Sequence, residues 1–223
     1  MAVYEKSAGP SKQRLKSICI FGSPNHGKDA EFRRAAYSLA EALVARKIRM
    51  VYGGGIKGLR GCVAGAAIVK GSKVLGVTLK ESDSRNTTNF VLGTEMKVAT
   101  MNERMGHMFL NGEAFVALPG GLETLEEISI IASWANSNYH QKPLGLLNIN
   151  GFYDGLLYFL NHAVEQEFIP KAMTRIIVSS SDAGHLLDQL YRLMPETPSL
   201  GKQIVCNNKD DCLKGEPDTT LHL

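Results

Sequence analysis

Residues 114–127 read AFVALPGGLETLEE, and this stretch points to one class of fold. Residues 114–118 predict a buried strand, a Pro-Gly-Gly turn follows, and a helical pattern begins at Thr124. A strand that leads through a glycine pair into a helix leaves the first amide groups of that helix free to bind a phosphate. The segment Thr124-x-x-Glu127 is also a capping box, in which the hydroxyl and the carboxylate would satisfy those amides without a ligand. The spacing alone favours neither interpretation.

Apolar and amphipathic segments alternate along most of the chain. The apolar segments predict strands at 17–22, 49–52, 73–79, 96–99, 114–118 and 144–149. The amphipathic segments predict a helix that begins after the N-cap Asp29 and further helices near 59–70, 101–111, 124–137, 153–167 and 182–194. The strands are too continuously apolar for a sheet with one solvated face, so we expect a parallel sheet covered by helices on both faces.

These segments predict a single α/β domain over residues 17–194, a three-layer α/β/α, Rossmann-like, doubly wound parallel sheet. A chain of 223 residues is long enough to bury one substantial core. Residues 1–16 are expected to form a flexible basic leader, and residues 195–223 a polar, disordered tail.

The charge distribution excludes several kinds of partner. The net charge is +3, and all of it comes from residues 1–17, where three lysines and one arginine accompany Glu5 alone. A body without net charge or a basic stripe is not expected to bind nucleic acid. No window holds 18 uncharged apolar residues, and residues 1–17 lack the apolar core of a secretion signal, so we expect no membrane partner. The expected location is the cytoplasm, with access to the nucleus by diffusion.

The four cysteines do not have the pattern of a disulfide framework. Cys19 and Cys62 lie in apolar runs, whereas Cys206 and Cys212 lie in the polar tail. Reduced thiols are the expected state, which agrees with an intracellular protein.

Two other glycine loops follow predicted strands. Gly22–Asp29 approximates the phosphate loop of nucleotide triphosphatases, but Asp29 replaces the magnesium-binding hydroxyl, and we interpret this loop as a turn followed by a helix cap. Gly53–Gly58 satisfies G-x-G-x-x-G, with Glu81 near the distance of a ribose-binding residue. It follows the second strand rather than the first, so we favour a close backbone approach over a dinucleotide site. A dinucleotide-dependent oxidoreductase therefore stays as an alternative.

These loops belong to a longer series of motifs. The series is FGS at 21–23, VYGGG at 51–55, GLRG at 58–61, MNER at 101–104, ALPGGLETLEE at 117–127, SWAN at 133–136 and KPLGLLNINGFYDGLL at 142–157. In this order the motifs resemble the Lonely Guy type cytokinin riboside monophosphate phosphoribohydrolases, often labelled lysine decarboxylase-like, from about Ser17 to Leu193. The resemblance implies a Rossmann-like homodimer that hydrolyses the N-glycosidic bond of an adenine-type nucleoside 5′-monophosphate. Free base and ribose 5-phosphate would be released without a metal or cofactor.

The resemblance also assigns site residues. Arg104 would fix the phosphate and orient the ribose, and Glu127 would help water attack the anomeric carbon while positive charge develops on the sugar. Residues expected to bind the substrate, with the phosphate near 120–124, are Ser23, Gly54, Gly55, Met105, Gly120, Gly121, Leu122, Glu123, Thr124, Glu126 and Ser133.

Several positions depart from the family pattern. Glu123 replaces a motif glycine, Met105 a lysine, Asn86 a substrate-contacting glutamate, and Ser133 a threonine. A Glu123 carboxylate directed at the phosphate would oppose binding, whereas one turned to solvent would favour the helix dipole. The alternative function is therefore a homologue that binds the nucleotide with weak or no hydrolysis. An amino-acid decarboxylase is disfavoured, because no lysine has a recognisable context for pyridoxal phosphate.

Overall fold

The computed structural model describes residues 15–80 and 90–195. Within them lie the strands β1 (Ser17–Phe21), β2 (Arg49–Tyr52), β3 (Val74–Leu79), β4 (Thr94–Val98), β5 (Ala114–Ala117), β6 (Leu144–Leu147) and β7 (Ile177–Ser180). The helices are α1 (Ala30–Ala45), α2 (Gly58–Val69), α3 (Met101–Asn111), α4 (Leu122–Asn136), α5 (Asp154–Glu165) and α6 (Ala183–Leu193), with 3-10 turns at Ile149–Gly151 and Lys171–Arg175. All strand pairs are parallel, in the order β4-β3-β2-β1-β5-β6-β7.

Helices cover both faces of the sheet, which confirms the three-layer α/β/α prediction. One apolar core joins the sheet to α1, α2 and α6, and the other joins it to α3, α4 and α5. In α1, the apolar stripe packs against the sheet: Ala36, Leu39, Ala40 and Leu43 are fully buried, while Phe32 and Ala35 are partly buried. The central strands β1 and β5 are buried at every residue, as expected for strands covered on both sides.

The strand order places a crevice between β1 and β5. From β1 the chain winds through β2 and β3 to β4, and from β5 it winds in the opposite direction to β7. Loops that leave neighbouring strands in opposite directions open a cleft at the carboxyl edge of the sheet. Backbone hydrogen bonds tie the glycine loops together there: the Ser23 amide donates to the Pro119 carbonyl at 3.3 Å, and the Leu59 amide donates to the Ser23 carbonyl at 3.0 Å.

The structure differs from the predicted elements in three places. The strand β7 was not predicted, because Ile177–Ser180 is short and half-buried at the edge of the sheet. Helix α4 begins at Leu122 rather than at 124. Leu15, inside the predicted leader, is buried in the core, so the folded domain begins before residue 17. Residues 1–14 of the predicted leader and 196–223 of the predicted tail lie outside the described residues.

The Asp29 side chain has the predicted capping role. Its Oδ1 accepts a hydrogen bond from the Glu31 amide at 2.9 Å, and its Oδ2 accepts from Asn150 Nδ2 at 2.8 Å. Both oxygens are therefore engaged within the protein, which supports a helix cap rather than a phosphate loop with a metal ligand. Among the described residues, no helix combines the length and the apolar character needed to cross a membrane.

Candidate active site

A cleft of about 410 Å³ opens where the glycine loops meet. Residues from the loops after β1 and β2, from the carboxyl end of β3 and from helices α2, α3 and α4 form its walls. The lining residues are Pro24, Asn25, Gly53, Gly54, Gly55, Lys57, Arg60, Thr78, Leu79, Met101, Arg104 and Glu123.

Arg104 extends from α3 into the base of this cleft. Its Nε donates to the Val77 carbonyl at 3.3 Å, its Nη2 to the Gly53 carbonyl at 3.1 Å, and its Nη1 to Glu127 Oε1 at 3.4 Å. A Cβ atom at residue 53 would lie 1.6 Å from Nη2, so only glycine leaves room for the guanidinium. Residue 53, the first of the Gly53–Gly58 loop, is therefore a glycine because the Arg104 side chain approaches its backbone closely. The sequence indicated a close backbone approach at this loop.

Glu127 lies in α4 with a side chain that is 4% exposed. The pKa of its carboxyl is raised to about 7, chiefly by burial and also by the charge of Glu123, while the charge of Arg104 acts in the opposite direction. One of its oxygens, Oε2, is buried and has no hydrogen-bond partner among the described residues. A carboxylate with a pKa near neutrality and a free oxygen has the properties of a general base.

The N-terminus of α4 lacks the capping box, which was one of the two interpretations that the sequence left open. Its N-cap is Gly121, no side chain caps it, and Thr124 is the third residue of the helix. The Thr124 hydroxyl is buried and, within the described chain, has no hydrogen-bond partner. A Cβ atom at residue 120 would lie 2.1 Å from Thr124 Oγ1, so only glycine allows this hydroxyl to approach the backbone of the loop so closely. The ligand-free interpretation of this motif is therefore wrong, and its amides and hydroxyl are available to an anion.

Glu123 adopts neither of the two orientations considered from the sequence. Its Oε1 accepts a hydrogen bond from Arg60 Nη1 at 2.8 Å and lies 3.8 Å from Arg104 Nη2. The carboxylate therefore lines the cleft as part of an ion pair, with 37% of its side chain exposed.

Three other predicted positions lie at the meeting point of the loops. Gly54 and Gly55 line the cleft with φ angles of 80° and 86°, in the region that favours glycine. Ser23 lies beside the cleft, where its Oγ accepts a hydrogen bond from the Asn25 amide at 2.9 Å.

Eight of the eleven predicted substrate-binding residues are not among those that line the cleft. Four of the eight belong to the adjoining loops and the first turn of α4, namely Ser23, Gly120, Gly121 and Thr124. The other four lie elsewhere. Met105 is 5% exposed and packs in the core beneath α3, one residue around the helix from Arg104. Leu122 and Glu126 are exposed on α4, and Glu126 and Glu127 lie on different faces because consecutive residues are about 100° apart. Ser133 lines a separate groove between α4 and α5. Asn86 and Glu81, and the tail residues Cys206 and Cys212, lie outside the described residues.

Arg60 was not predicted to have a role, although its position in the sequence carries a signal. Arg60 is the one charged residue of α2, and it lies in the first turn, where the helix dipole disfavours a cation. Such a residue needs a compensating anion, here Glu123. The other unassigned lining residues, among them Asn25, Lys57 and Thr78, come from loops and strand ends with no distinguishing pattern. In the part of the chain that is described, no group of three or more His, Cys, Asp or Glu side chains could hold a metal ion.

Comparisons with known proteins agree with the geometry. Residues 61–190 match the family described as possible lysine decarboxylase. The chain is 40% identical over 200 residues to cytokinin riboside 5′-monophosphate phosphoribohydrolase LOG7 of Arabidopsis thaliana, covering 90% of this chain and 92% of that protein. It is 38% identical over 209 residues to LOG2 of the same plant, which carries the same activity name, covering 94% of this chain and 98% of that protein.

Solved structures share the fold at lower identity. A molybdenum cofactor binding protein from Rippkaea orientalis matches with a TM-score of 0.58 at 20% identity, covering 82% of this chain and 99% of that one. The Moco carrier protein from Chlamydomonas reinhardtii matches with a TM-score of 0.60 at 16% identity, covering 81% and 98%. From the family match and the identity to curated relatives over most of both chains, this chain belongs to the Lonely Guy (LOG) family, whose family model bears the lysine decarboxylase label.

Proposed function

We propose that this protein hydrolyses the N-glycosidic bond of an adenine-type, cytokinin-like nucleoside 5′-monophosphate and releases the free base and ribose 5-phosphate. One observation carries the proposal. Two buried polar atoms, Thr124 Oγ1 and Glu127 Oε2, have no partner among the described residues, and they belong to one helix that begins at the cleft. Unsatisfied buried polar atoms are costly, and they are retained where a ligand satisfies them. Relatives with this activity name over most of the chain support the same reaction.

The proposed phosphate site is the N-terminus of α4. The amides of Gly120 and Gly121 and the Thr124 hydroxyl are its donors, because no side chain among residues 15–80 and 90–195 caps this end. The partial positive charge of a helix N-terminus favours a phosphate group. The sugar of the bound nucleotide then lies toward the Arg104–Glu127 pair, one turn further along the helix.

In the proposed chemistry, Glu127 acts on the sugar. The bond between the anomeric carbon and the base nitrogen breaks, a water oxygen bonds to that carbon, and one water proton passes to the Glu127 carboxylate. The base leaves with a proton from solvent, and Glu127 returns its own proton to solvent afterwards. The negative charge of Glu127 also stabilises the oxocarbenium-like transition state. Arg104 is fixed by two backbone carbonyls and orients the carboxylate through its bond to Oε1.

One observation favours the alternative of a nucleotide-binding homologue with little turnover. The Glu123 carboxylate lines the cleft 3.8 Å from Arg104 Nη2, where it competes with a ligand for the guanidinium. Binding without product would identify this alternative.

The reaction is tested by incubating the protein with adenosine 5′-monophosphate (AMP) or an isoprenoid adenine ribotide and measuring free base by chromatography. We expect base release, and Glu127→Gln should lower its rate by about 10²- to 10⁴-fold, the usual contribution of general acid–base catalysis. Glu41→Gln is the matched control, because Glu41 is an exposed carboxylate paired with Lys70 on the opposite layer.

The control should keep the rate of the unsubstituted protein. Unchanged turnover in Glu127→Gln would refute the role of this carboxylate. Ligand-dependent thermal stabilisation without any base release would refute hydrolysis and support the binding homologue.

The proposal includes a homodimer. Apolar side chains are exposed on α4 and α5, with exposures of 84% for Leu122, 41% for Leu125, 75% for Tyr158 and 60% for Phe159. A groove of about 360 Å³ lies between these helices and the segment 169–177. Exposed apolar patches of this kind mark protein interfaces, and homodimer interfaces are more apolar than the remaining surface.

The proposal also places the protein in the cytoplasm. Cys19 and Cys62 are free thiols, which suits a reducing compartment.

A further inference from the structure

The cleft contains two guanidinium groups with different capacity for a ligand. Arg104 is 5% exposed and has a protein acceptor at each of its three nitrogens. Arg60 is 12% exposed and donates through Nη1 to Glu123, while its Nε has no hydrogen-bond partner among the described residues. A guanidinium has five N–H donors, so Arg60 keeps more of them for a ligand than Arg104 does.

The start of α2 lies against the loop that leads to α4. Gly22 lies between the two segments, and both are close to it. A Cβ atom at residue 22 would lie 3.0 Å from Leu118 Cβ and 3.8 Å from the Arg60 amide nitrogen. The direct bond between Arg60 and Glu123, the second residue of α4, brings the guanidinium to the N-terminal turn of that helix. Arg60 is therefore a cation next to the end of α4 that has no side-chain cap.

The ion pair also changes the charge that an anion meets in the cleft. Glu123 alone would repel a phosphate, and Arg60 alone would oppose the dipole of α2. At 2.8 Å each charge offsets the other, and the free donors of Arg60 remain available. A carboxylate at this position is therefore compatible with an anionic ligand when Arg60 accompanies it.

We propose that Arg60 is a further substrate-binding residue, which contacts the phosphate of the nucleotide, and that Glu123 is the positioning residue that holds its guanidinium in the cleft wall. This inference rests on the proposed function for the nature of the substrate. It makes Arg60 a determinant of specificity for a nucleoside monophosphate over the corresponding nucleoside.

The test compares the affinities for AMP and adenosine by calorimetry. Arg60→Met should weaken AMP binding by about 10- to 100-fold, as expected for the loss of a charged hydrogen bond, and change adenosine binding by less than about twofold. Arg34→Met is the matched control, because it removes the same charge from an exposed pair with Glu31 on α1. It should change neither affinity.

A second comparison covers the case in which Arg60→Met does not fold because Glu123 is left without its partner. Glu123→Gln keeps an oxygen acceptor for Arg60 and removes a negative charge, so AMP should bind at least as tightly as to the unsubstituted protein. Adding Arg60→Met to Glu123→Gln leaves no unpaired charge, and it should weaken AMP binding by about tenfold relative to Glu123→Gln alone.

Unchanged AMP affinity on loss of Arg60, or equal weakening of AMP and adenosine, would overturn the inference, since a purely structural role affects both ligands alike. Failure of the unsubstituted protein to bind AMP would overturn it as well. Base release is measured in parallel to separate the two proposals. Arg60-dependent AMP binding without base release contradicts hydrolysis alone, and base release with Arg60-independent AMP binding contradicts this inference alone.

Discussion

Glu127 combines a cationic partner with a raised pKa. Arg104 lies 3.4 Å away and lowers the pKa, but burial acts more strongly and raises it to about 7. The guanidinium is shared with the carbonyls of Val77 and Gly53, so its charge is not directed at Glu127 alone. A second carboxylate, Glu123, further disfavours ionisation. The result is a carboxyl group that exchanges its proton near neutral pH, as a catalytic base must.

This pKa predicts a pH-dependent stability. The folded carboxyl titrates at about 7 and the unfolded one near 4.5, so between these values the folded state binds more protons. The contribution of Glu127 to the free energy of unfolding should therefore fall as pH rises from 4.5 to 7 and become constant above. A shift from 4.5 to about 7 corresponds to about 3 kcal/mol.

The measurement is urea unfolding of the unsubstituted protein and of Glu127→Gln at several pH values. Glutamine does not titrate, so the stability difference should move by about 3 kcal/mol in favour of Glu127→Gln between pH 4.5 and 8. Any constant cost of breaking the pair with Arg104 cancels in this comparison. A difference that stays the same across this pH range would contradict the raised pKa.

Helix α4 and the loop before it form the proposed anion-binding part of the fold. The Tyr153 hydroxyl donates to the Leu118 carbonyl at 2.6 Å and fixes the loop from the α5 side. Gly120 allows close contact with Thr124, and Gly121 begins the helix without a side-chain cap. The helix therefore begins with donors that no side chain occupies, at a cost that a bound ligand would remove.

Thr124→Val tests this cost. Valine has nearly the same shape and removes a buried hydroxyl that has no partner among the described residues, so the free energy of unfolding should rise by roughly 1 kcal/mol. AMP affinity should fall by about tenfold, because the phosphate loses a donor. Chemical unfolding and calorimetry measure the two effects.

Thr100→Val is the control for stability. The Thr100 hydroxyl accepts a hydrogen bond from the Glu103 amide at 3.1 Å as the N-cap of α3, so its loss should destabilise the protein by about 1 kcal/mol. Equal destabilisation by both substitutions would mean that the Thr124 hydroxyl is satisfied in the protein.

The two layers of helices differ in the apolar side chains that they expose. On the layer of α3, α4 and α5, large apolar side chains are exposed on the two helices that form the walls of the groove, α4 and α5. On the opposite layer, Val69 is a large apolar residue of α2 that is 87% exposed. We therefore assign the proposed self-association to the α4–α5 face.

Phe159→Glu should convert the dimer to a monomer, because a charge in the apolar part of an interface is costly to bury. Val69→Glu is the matched control, with the same introduced charge at an exposed apolar site of the other layer. Sedimentation velocity measures both. A monomeric unsubstituted protein, or a dimer in both variants, would refute the α4–α5 interface.

The predictions from sequence succeeded where the pattern is local. The six predicted strands, the six helices and the Asp29 cap follow from periodicity and capping chemistry, which act within a few residues. The seventh strand, β7, has too few buried residues to produce a pattern, and its strand conformation depends on pairing with β6. The capping box at Thr124 was wrong for a similar reason: Gly120 and the neighbouring loops determine where α4 begins.

The order of residues along the chain was enough to establish the layered α/β architecture, the family, and Arg104 and Glu127 as the pair to examine. Those conclusions need only the periodicity of apolar residues and the order of motifs, and both can be found in the linear sequence. The pairing of Arg60 with Glu123 joins residues 63 positions apart, and the raised pKa of Glu127 comes from burial between helices and loops. Both depend on distances and solvent exclusion that exist only after the chain has packed, so the folded molecule alone could reveal them.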